Sequence, residues 1–233
     1  MLVSILISLL LVLQLSSASP IAPRTLITSS QLLEIAPSSS TCANAPFPLE
    51  CATATQAAPW INLSLATYAV TSPAEIAALI SLMAFETGEF KYNINHYPAP
   101  GRPGQGTRNM QMGTSNLLYA RSIPALTLPL DAITTSQDAS ALSDDQLNAM
   151  RALVLPDTYA WASAAWFLTS QCGPSVRTQL QTGSVEGWEA YISECVGTTV
   201  TSDRQAYWTA ACQALGVSPA AASSTDGSST DDS

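Results

Sequence analysis

The sequence predicts a mainly α domain with little or no β-sheet and one long irregular Pro/Gly-rich loop. Three observations carry that reading. Helix starts recur: Ser72-Pro73-Ala74-Glu75 and Ser143-Asp144-Asp145-Gln146 each set a capping hydroxyl three residues before Glu or Gln. Helix stops recur as well, with Gly88, Gly173-Pro174, Gly197 and Gly216 each following an apolar run. Strand signals are scarce, since Ala125 to Leu130 is the one short candidate and Pro124 and Pro129 demote it.

Taken in order, the chain opens with a run from Leu2 to Leu15 that is apolar apart from Ser4, Ser8 and Gln14. Ser16 and Ala18 supply the small residues that precede a signal cleavage after Ala18. The run falls short of the ~20 residues that span a bilayer. The expectation is therefore a signal peptide over 1–18, a secreted, extracellular product, and no membrane association after signal removal. Residues 19–41, rich in Ser, Pro and Thr, read as a flexible leader. Residues 42–216 read as the folded domain, and 217–233 as a disordered acidic tail with nothing to bury.

Within the domain, Ala52 to Tyr68 reads as a helix interrupted or restarted at Pro59. Ser72 opens a nearly charge-free helix that Gly88 ends. Ser143 opens another, ended by Pro156, and Asp157 is placed to cap a helix through Ser170. The segment YAWASAAWFLTS is so apolar that it must be central. Ser184 to Val196 and Ser202 to Leu215 complete the set, with Gln205 read as closing a third capping box.

The 233 residues carry a net charge of −9 and only eight basic side chains, with no basic cluster, which argues against nucleic acid as a partner. Five cysteines in a secreted chain imply two disulfides and one thiol left over. Cys42 and Cys51 are close enough to clip a small loop, while Cys172, Cys195 and Cys212 leave their pairing open. One histidine and no Cys-x-x-Cys spacing give no metal site, and nothing calls for a cofactor. Asn62-Leu63-Ser64 is a glycosylation sequon, so Asn62 reads as a glycan acceptor.

The candidate chemistry lies between Ser72 and Gln111. On a helical wheel with Ile76 at the origin, Glu86 falls at about 280°, beside Leu79 at the edge of the buried face. Desolvation there disfavours the ionised carboxylate and raises its pKa, which suits a general acid. Glu89 is the candidate second acid. The loop that follows holds Tyr92, His96 and Arg108 as candidate substrate-binding residues, because aromatic, imidazole and guanidinium groups suit a polar cleft.

Glu86-Thr-Gly-Glu-Phe90, followed by Arg108-Asn-Met-Gln111, resembles the paired signature of the lysozyme-like superfamily. The nearest branch is that of soluble lytic transglycosylases and goose-type lysozymes (glycoside hydrolase family 23-like). Ala164-Ala165-Trp166-Phe167-Leu168 is similar to that group's central helix, and the loop is similar to that of secreted fungal proteins of this type. The resemblance implies a lysozyme-like helical domain that cuts β-1,4 bonds in N-acetylhexosamine polymers such as peptidoglycan or chitin. Polysaccharide would be the partner, Glu86 the general acid and base, Gln111 and Asn109 the amides facing substrate, and Met110 the residue packed beneath them. Arg108-Asn109 stands where the family has Gly-Leu. That departure keeps open an inactive effector or glycan-binding protein on the same scaffold. A structural wall-associated protein, in which an arginine occupies Glu86 in a closed site, is a further alternative.

Overall fold

The computed structural model describes residues 26–218. The run read as a signal peptide and the acidic tail beyond residue 218 lie outside the described residues. The chain is mainly α-helical, and β-structure among the described residues is confined to isolated bridges of Gly106 with Ile94 and with Gln111. In chain order the α-helices are α1 (Ser29–Ile35), α2 (Ala54–Thr67), α3 (Pro73–Glu86), α4 (Gly113–Ser122), α5 (Thr127–Asp131), α6 (Asp144–Val154), α7 (Asp157–Ala160), α8 (Ser163–Gln171), α9 (Pro174–Gln181), α10 (Val185–Ala190) and α11 (Ser202–Leu215). A π-helical turn, Tyr191–Val196, prolongs α10 and ends at left-handed Gly197.

The reading of 19–41 as a loose leader fails for its described part. Thr28 and Gln31 form a capping box at α1, and Ile27, Leu32, Ile35 and Ala36 are buried. Gln31 Nε2 donates to the Ala214 carbonyl, tying α1 to the end of α11. The Ser/Thr-rich composition conceals a short apolar stripe that one turn of helix gathers onto one face. Nor is Asn62 presented as a glycan acceptor. Its Nδ2 donates to the Ile27 and Ala58 carbonyls and its Oδ1 accepts from the Ile27 amide, so the side chain fastens the entry to α1.

Local signals placed most helix boundaries, but several details differ. Pro59 sits inside an unbroken α2, which starts at its own Thr53–Gln56 capping box. Glu75 closes no capping box: its buried carboxylate accepts from Arg177 Nε at 2.8 Å and Gln181 Nε2 at 3.1 Å, both on α9. Thr201, not Ser202, caps α11, and its hydroxyl accepts from the Arg204 amide, so Gln205 has no box to close. Asp157 likewise caps no helix through Ser170. It begins the short α7, and the chain turns at Trp161-Ala162 before α8. The weak strand candidate Ala125 to Leu130 is a 3₁₀ turn running into α5, with Leu126 and Leu130 buried.

Helix α8 is central, as its composition predicts. Ala164, Ala165 and Leu168 belong to the main core with α1, α2, α3 and α11, while Trp166 belongs to a second core with α4, α5 and α6. The pairing left open resolves as Cys172 with Cys195, joining the end of α8 to the π-helical turn, and Cys212 keeps its thiol. Cys42 pairs with Cys51.

The described start of the chain is thus part of the core. Leu32→Ala is expected to cost about 2–5 kcal/mol, the range for emptying a fully buried leucine site. Urea unfolding of the two proteins checks this, since a loose leader would lose almost nothing.

Candidate functional site

Helix α3 delivers Glu86 to a tight reversal. Thr87 caps the helix, its hydroxyl donating to the Met83 carbonyl and accepting from the Phe90 amide. Gly88, Glu89 and Phe90 then follow in the left-handed region at φ 55°, 58° and 69°. Two of the three are not glycine, each at a cost of about 1–3 kcal/mol. The reversal persists because both ends are tied down: Phe90 is fully buried edge-on to Trp161, and Glu89 is held from outside. Glu89 Oε1 accepts from the Tyr207 hydroxyl at 2.9 Å and Oε2 from the Ser38 amide. Those bonds hold Glu89 to α11 and to the segment after α1, so it does not face Glu86 as a second acid.

The loop from 91 to 112 is built around two charges. Glu50, buried, accepts through Oε2 from the Asn93 and Ile94 amides and through Oε1 from His96 Nε2 at 2.7 Å. Arg108, only 2% exposed, donates to the carbonyls of Glu50, Phe90 and Tyr92. Its guanidinium lies 4.5 Å over the Trp161 ring and 3.8 Å from Asp157. Burial pushes Arg108 down to about 10, against the pull of Asp157 and Glu50, which leaves it cationic at neutral pH. It is a brace for the loop, not a cleft residue. His96 is likewise held, by Glu50 and by stacking on Phe47 at 3.7 Å. Gly101 is required where the loop turns back, because a Cβ there would meet the Asn95 carbonyl oxygen at 2.0 Å.

Behind the loop runs a buried chain of amides. Ser163 Oγ donates to Asn109 Oδ1, Asn109 Nδ2 to Gln111 Oε1, and Gln111 Nε2 to Asn116 Oδ1. Asn116 Nδ2 closes on the Gly104 carbonyl. Asn109 and Gln111 thus form a rigid floor with most of their capacity already used.

Above that floor lies a cleft of about 350 Å³, lined by Glu86, Arg102, Gln105, Asn109, Gln111 and Arg204 with the apolar Leu82, Met110, Met112, Phe167 and Val196. A second lobe of about 360 Å³, lined by Phe47, Tyr92, Ile94, His96 and Tyr97, shares Glu86, Gln105 and Met110 with the first. Glu86 therefore stands at the waist between a mixed lobe and an aromatic one. Of the residues expected at the site, Glu86, Gln111, Asn109, Tyr92 and His96 line this cleft, whereas Glu89 and Arg108 do not.

The structure adds Arg204 from α11, a residue the sequence reading passed over. Arg204 Nη1 lies 2.6 Å from Glu86 Oε1, and its guanidinium sits 4.2 Å over the Phe85 ring. Burial raises the Glu86 carboxyl above its ordinary value, and Arg204 opposes that rise without cancelling it. An arginine does occupy Glu86, as the wall-protein alternative required, but the site is open.

A curated protein of Fusarium oxysporum (strain Fo5176), described as a bifunctional dioxygenase (DOX)-epoxy alcohol synthase (EAS), is 47% identical to this chain over 163 residues. Those residues make up 70% of this chain and 12% of that protein, so the chain spans a small part of the curated relative it matches. No family model matches the chain, and no solved structure does.

That similarity corrects the reading drawn from two short motifs. The relative's named activities are dioxygenation and epoxy alcohol synthesis, so the lysozyme-like resemblance falls. With it go glycosidase or transglycosylase activity, peptidoglycan and chitin as substrates, and the effector or glycan-binding alternative on that scaffold. The geometry agrees about the motif: what looked like a free acid is an ion pair with Arg204, and the expected second acid is turned away.

Two predictions follow from these contacts. Arg108→Leu leaves three carbonyls with lost partners and is expected to cost about 3–5 kcal/mol, read by urea unfolding. Because folding favours protonated Glu86, its contribution to stability is full at low pH and declines as pH rises through the raised value. The stability of wild type relative to Glu86→Gln should therefore fall as pH rises above the ordinary glutamate value of 4.5, measured by paired urea titrations.

Proposed function

We propose that this chain is a secreted, disulfide-clamped helical binding module whose cleft at Glu86 receives a small oxygenated molecule with an apolar part. The observation that carries this reading is the Glu86–Arg204 pair at the waist of an open cleft, with hydrogen-bonding groups on one wall and Leu82, Met110, Met112 and Phe167 on another. Glu86 in its protonated form donates a hydrogen bond, and in its ionised form accepts one, so it suits hydroxyl, epoxide or carbonyl oxygens. The apolar wall supplies affinity by removing hydrocarbon from water, and the amide floor supplies orientation. The N-terminal apolar run and the two disulfides support secretion.

The relative's name brings the chemical class of the ligand, because an epoxy alcohol is an oxygenated molecule of this kind. Its oxygenation chemistry does not transfer to this chain's residues. Activating dioxygen calls for a metal or redox group, commonly held by histidine, cysteine and carboxylate clusters. Among the described residues no three such side chains gather, and the histidine is held by Glu50 and Phe47. The described residues do not fit a metal centre.

Ser115→Trp, which fills the cleft from α4, tests this reading. In a calorimetric screen of short-chain epoxides, hydroxy compounds and ketones, wild type should bind at least one class and the variant about tenfold more weakly or worse. Equal binding by both proteins would move the site elsewhere.

A further inference from the structure

The two lobes of the cleft differ in what lines them and in how firmly the wall is held. Four residues that line the aromatic lobe carry rings, Phe47, Tyr92, His96 and Tyr97, where the mixed lobe has Phe167. Among the described residues no lysine or arginine lines the aromatic lobe, and Glu86 at the waist supplies its carboxylate. Two of the four rings are left partly in water, Phe47 at 39% exposed and Tyr97 at 83%. Phe47 lies parallel to the His96 ring at 3.7 Å between centres and meets Tyr92 at 6.0 Å, tilted by 57°.

Three of the rings are fixed by contacts outside the lobe. Phe47 sits in the loop that Cys42 and Cys51 close, and its carbonyl accepts from the Glu50 amide. His96 is bonded to Glu50. The Tyr92 amide donates to the Thr87 carbonyl, and its own carbonyl accepts from Arg108 Nη1. The Tyr92 ring packs so closely on Gly88 that a Cβ there would stand 3.3 Å from its edge. A wall already ordered costs little to order on binding, whereas a flexible chain loses freedom at every bond it freezes. A flat ring has no such bonds to freeze, and its positive edge and negative face suit those of the wall rings in edge-to-face or offset contact. With no basic side chain on this wall, nothing in the lobe calls for an anion.

We infer that the cleft selects a neutral aryl compound, its aromatic ring in the lobe of Phe47, Tyr92, His96 and Tyr97 and its hydroxyl or carbonyl oxygen at Glu86. This inference rests on the cleft being the binding site and narrows its ligand. Phe47 and Tyr97 determine the specificity, because theirs are the rings left most open to a ligand.

The test uses the full chain and three ten-carbon alcohols: 4-phenylbutan-2-ol, 4-cyclohexylbutan-2-ol and decan-2-ol. Removal of hydrocarbon from water favours the two saturated alcohols, which expose more of it, so a preference for the phenyl compound reports recognition of the ring. Calorimetry on wild type should rank 4-phenylbutan-2-ol first, about fivefold ahead of its cyclohexyl counterpart. Phe47→Leu and Tyr97→Leu each keep apolar bulk but remove a ring, and each should cut that ratio to about twofold or less. Phe47→Leu also loses the stack on His96, so Tyr97→Leu, at an exposed side chain, decides the matter if the first variant fails to fold. If a saturated alcohol binds wild type as tightly as the phenyl compound, or if Tyr97→Leu keeps the full ratio, the inference is overturned while the cleft reading stands. The same holds if no alcohol binds while the oxygenated screen on wild type finds another ligand. If that screen is also blank, both fall together.

Discussion

The arginine at position 108 is the constraint on which the rest of the site depends. A guanidinium that is almost wholly buried needs partners for its donors, and here Nη1 collects carbonyls from three points of the chain while the group lies on Trp161 and Nε stays unpaired. Those points are the segment before α2, the reversal after α3, and the first residues of the loop. Binding them to one planar cation fixes where the loop starts relative to α3 and α8. Glu50 does the complementary work by satisfying two amides and the His96 ring from the opposite side. The loop is therefore held by buried charges of both signs, with no sheet to support it.

With the loop fixed, the cleft has a rigid floor and one adjustable group. The amides of Asn109, Gln111 and Asn116 bond to one another in series, which leaves them little freedom to rearrange around a ligand. Glu86 is different. Burial favours its neutral form and Arg204 its ionised form, with burial the larger effect. A carboxyl in that situation changes its hydrogen-bonding character when a ligand alters its solvation. The same pairing removes it from the role of an unopposed acid, which is why its place at the end of an apolar helix was an incomplete guide to its chemistry.

Much of the helical framework was legible because helix boundaries are local events. Ser72-Pro73 and Ser143 with Gln146 act within one turn, and so does the stop at Gly88. The same locality explains the failures. Glu75 satisfied the spacing of a capping box, yet Arg177 and Gln181 arrive from α9 and offer a buried carboxylate stronger partners than its own helix terminus does. Ser202 and Gln205 likewise had the spacing, but Thr201 takes the cap one residue earlier. The short apolar stripe of α1 was hidden by the composition around it, since its value appears only when α2 and α11 are present to cover it.

By itself the sequence determined a mainly α chain, the positions of most helix ends, the Cys42–Cys51 clip, and the placing of Glu86 at the edge of a buried face with a raised carboxyl. Each depends on side chains only a few residues apart, or on one helix face. Tertiary structure decided what Glu86 faces, which of three cysteines pair, and whether Glu89 and Arg108 belong to the cleft. Those outcomes depend on which distant segments are brought together, as α11 brings Arg204 to α3. Hydrogen bonds act only at contact and charge interactions are screened beyond about 10 Å, so a partner far along the chain leaves no trace in the local pattern until the fold brings it near.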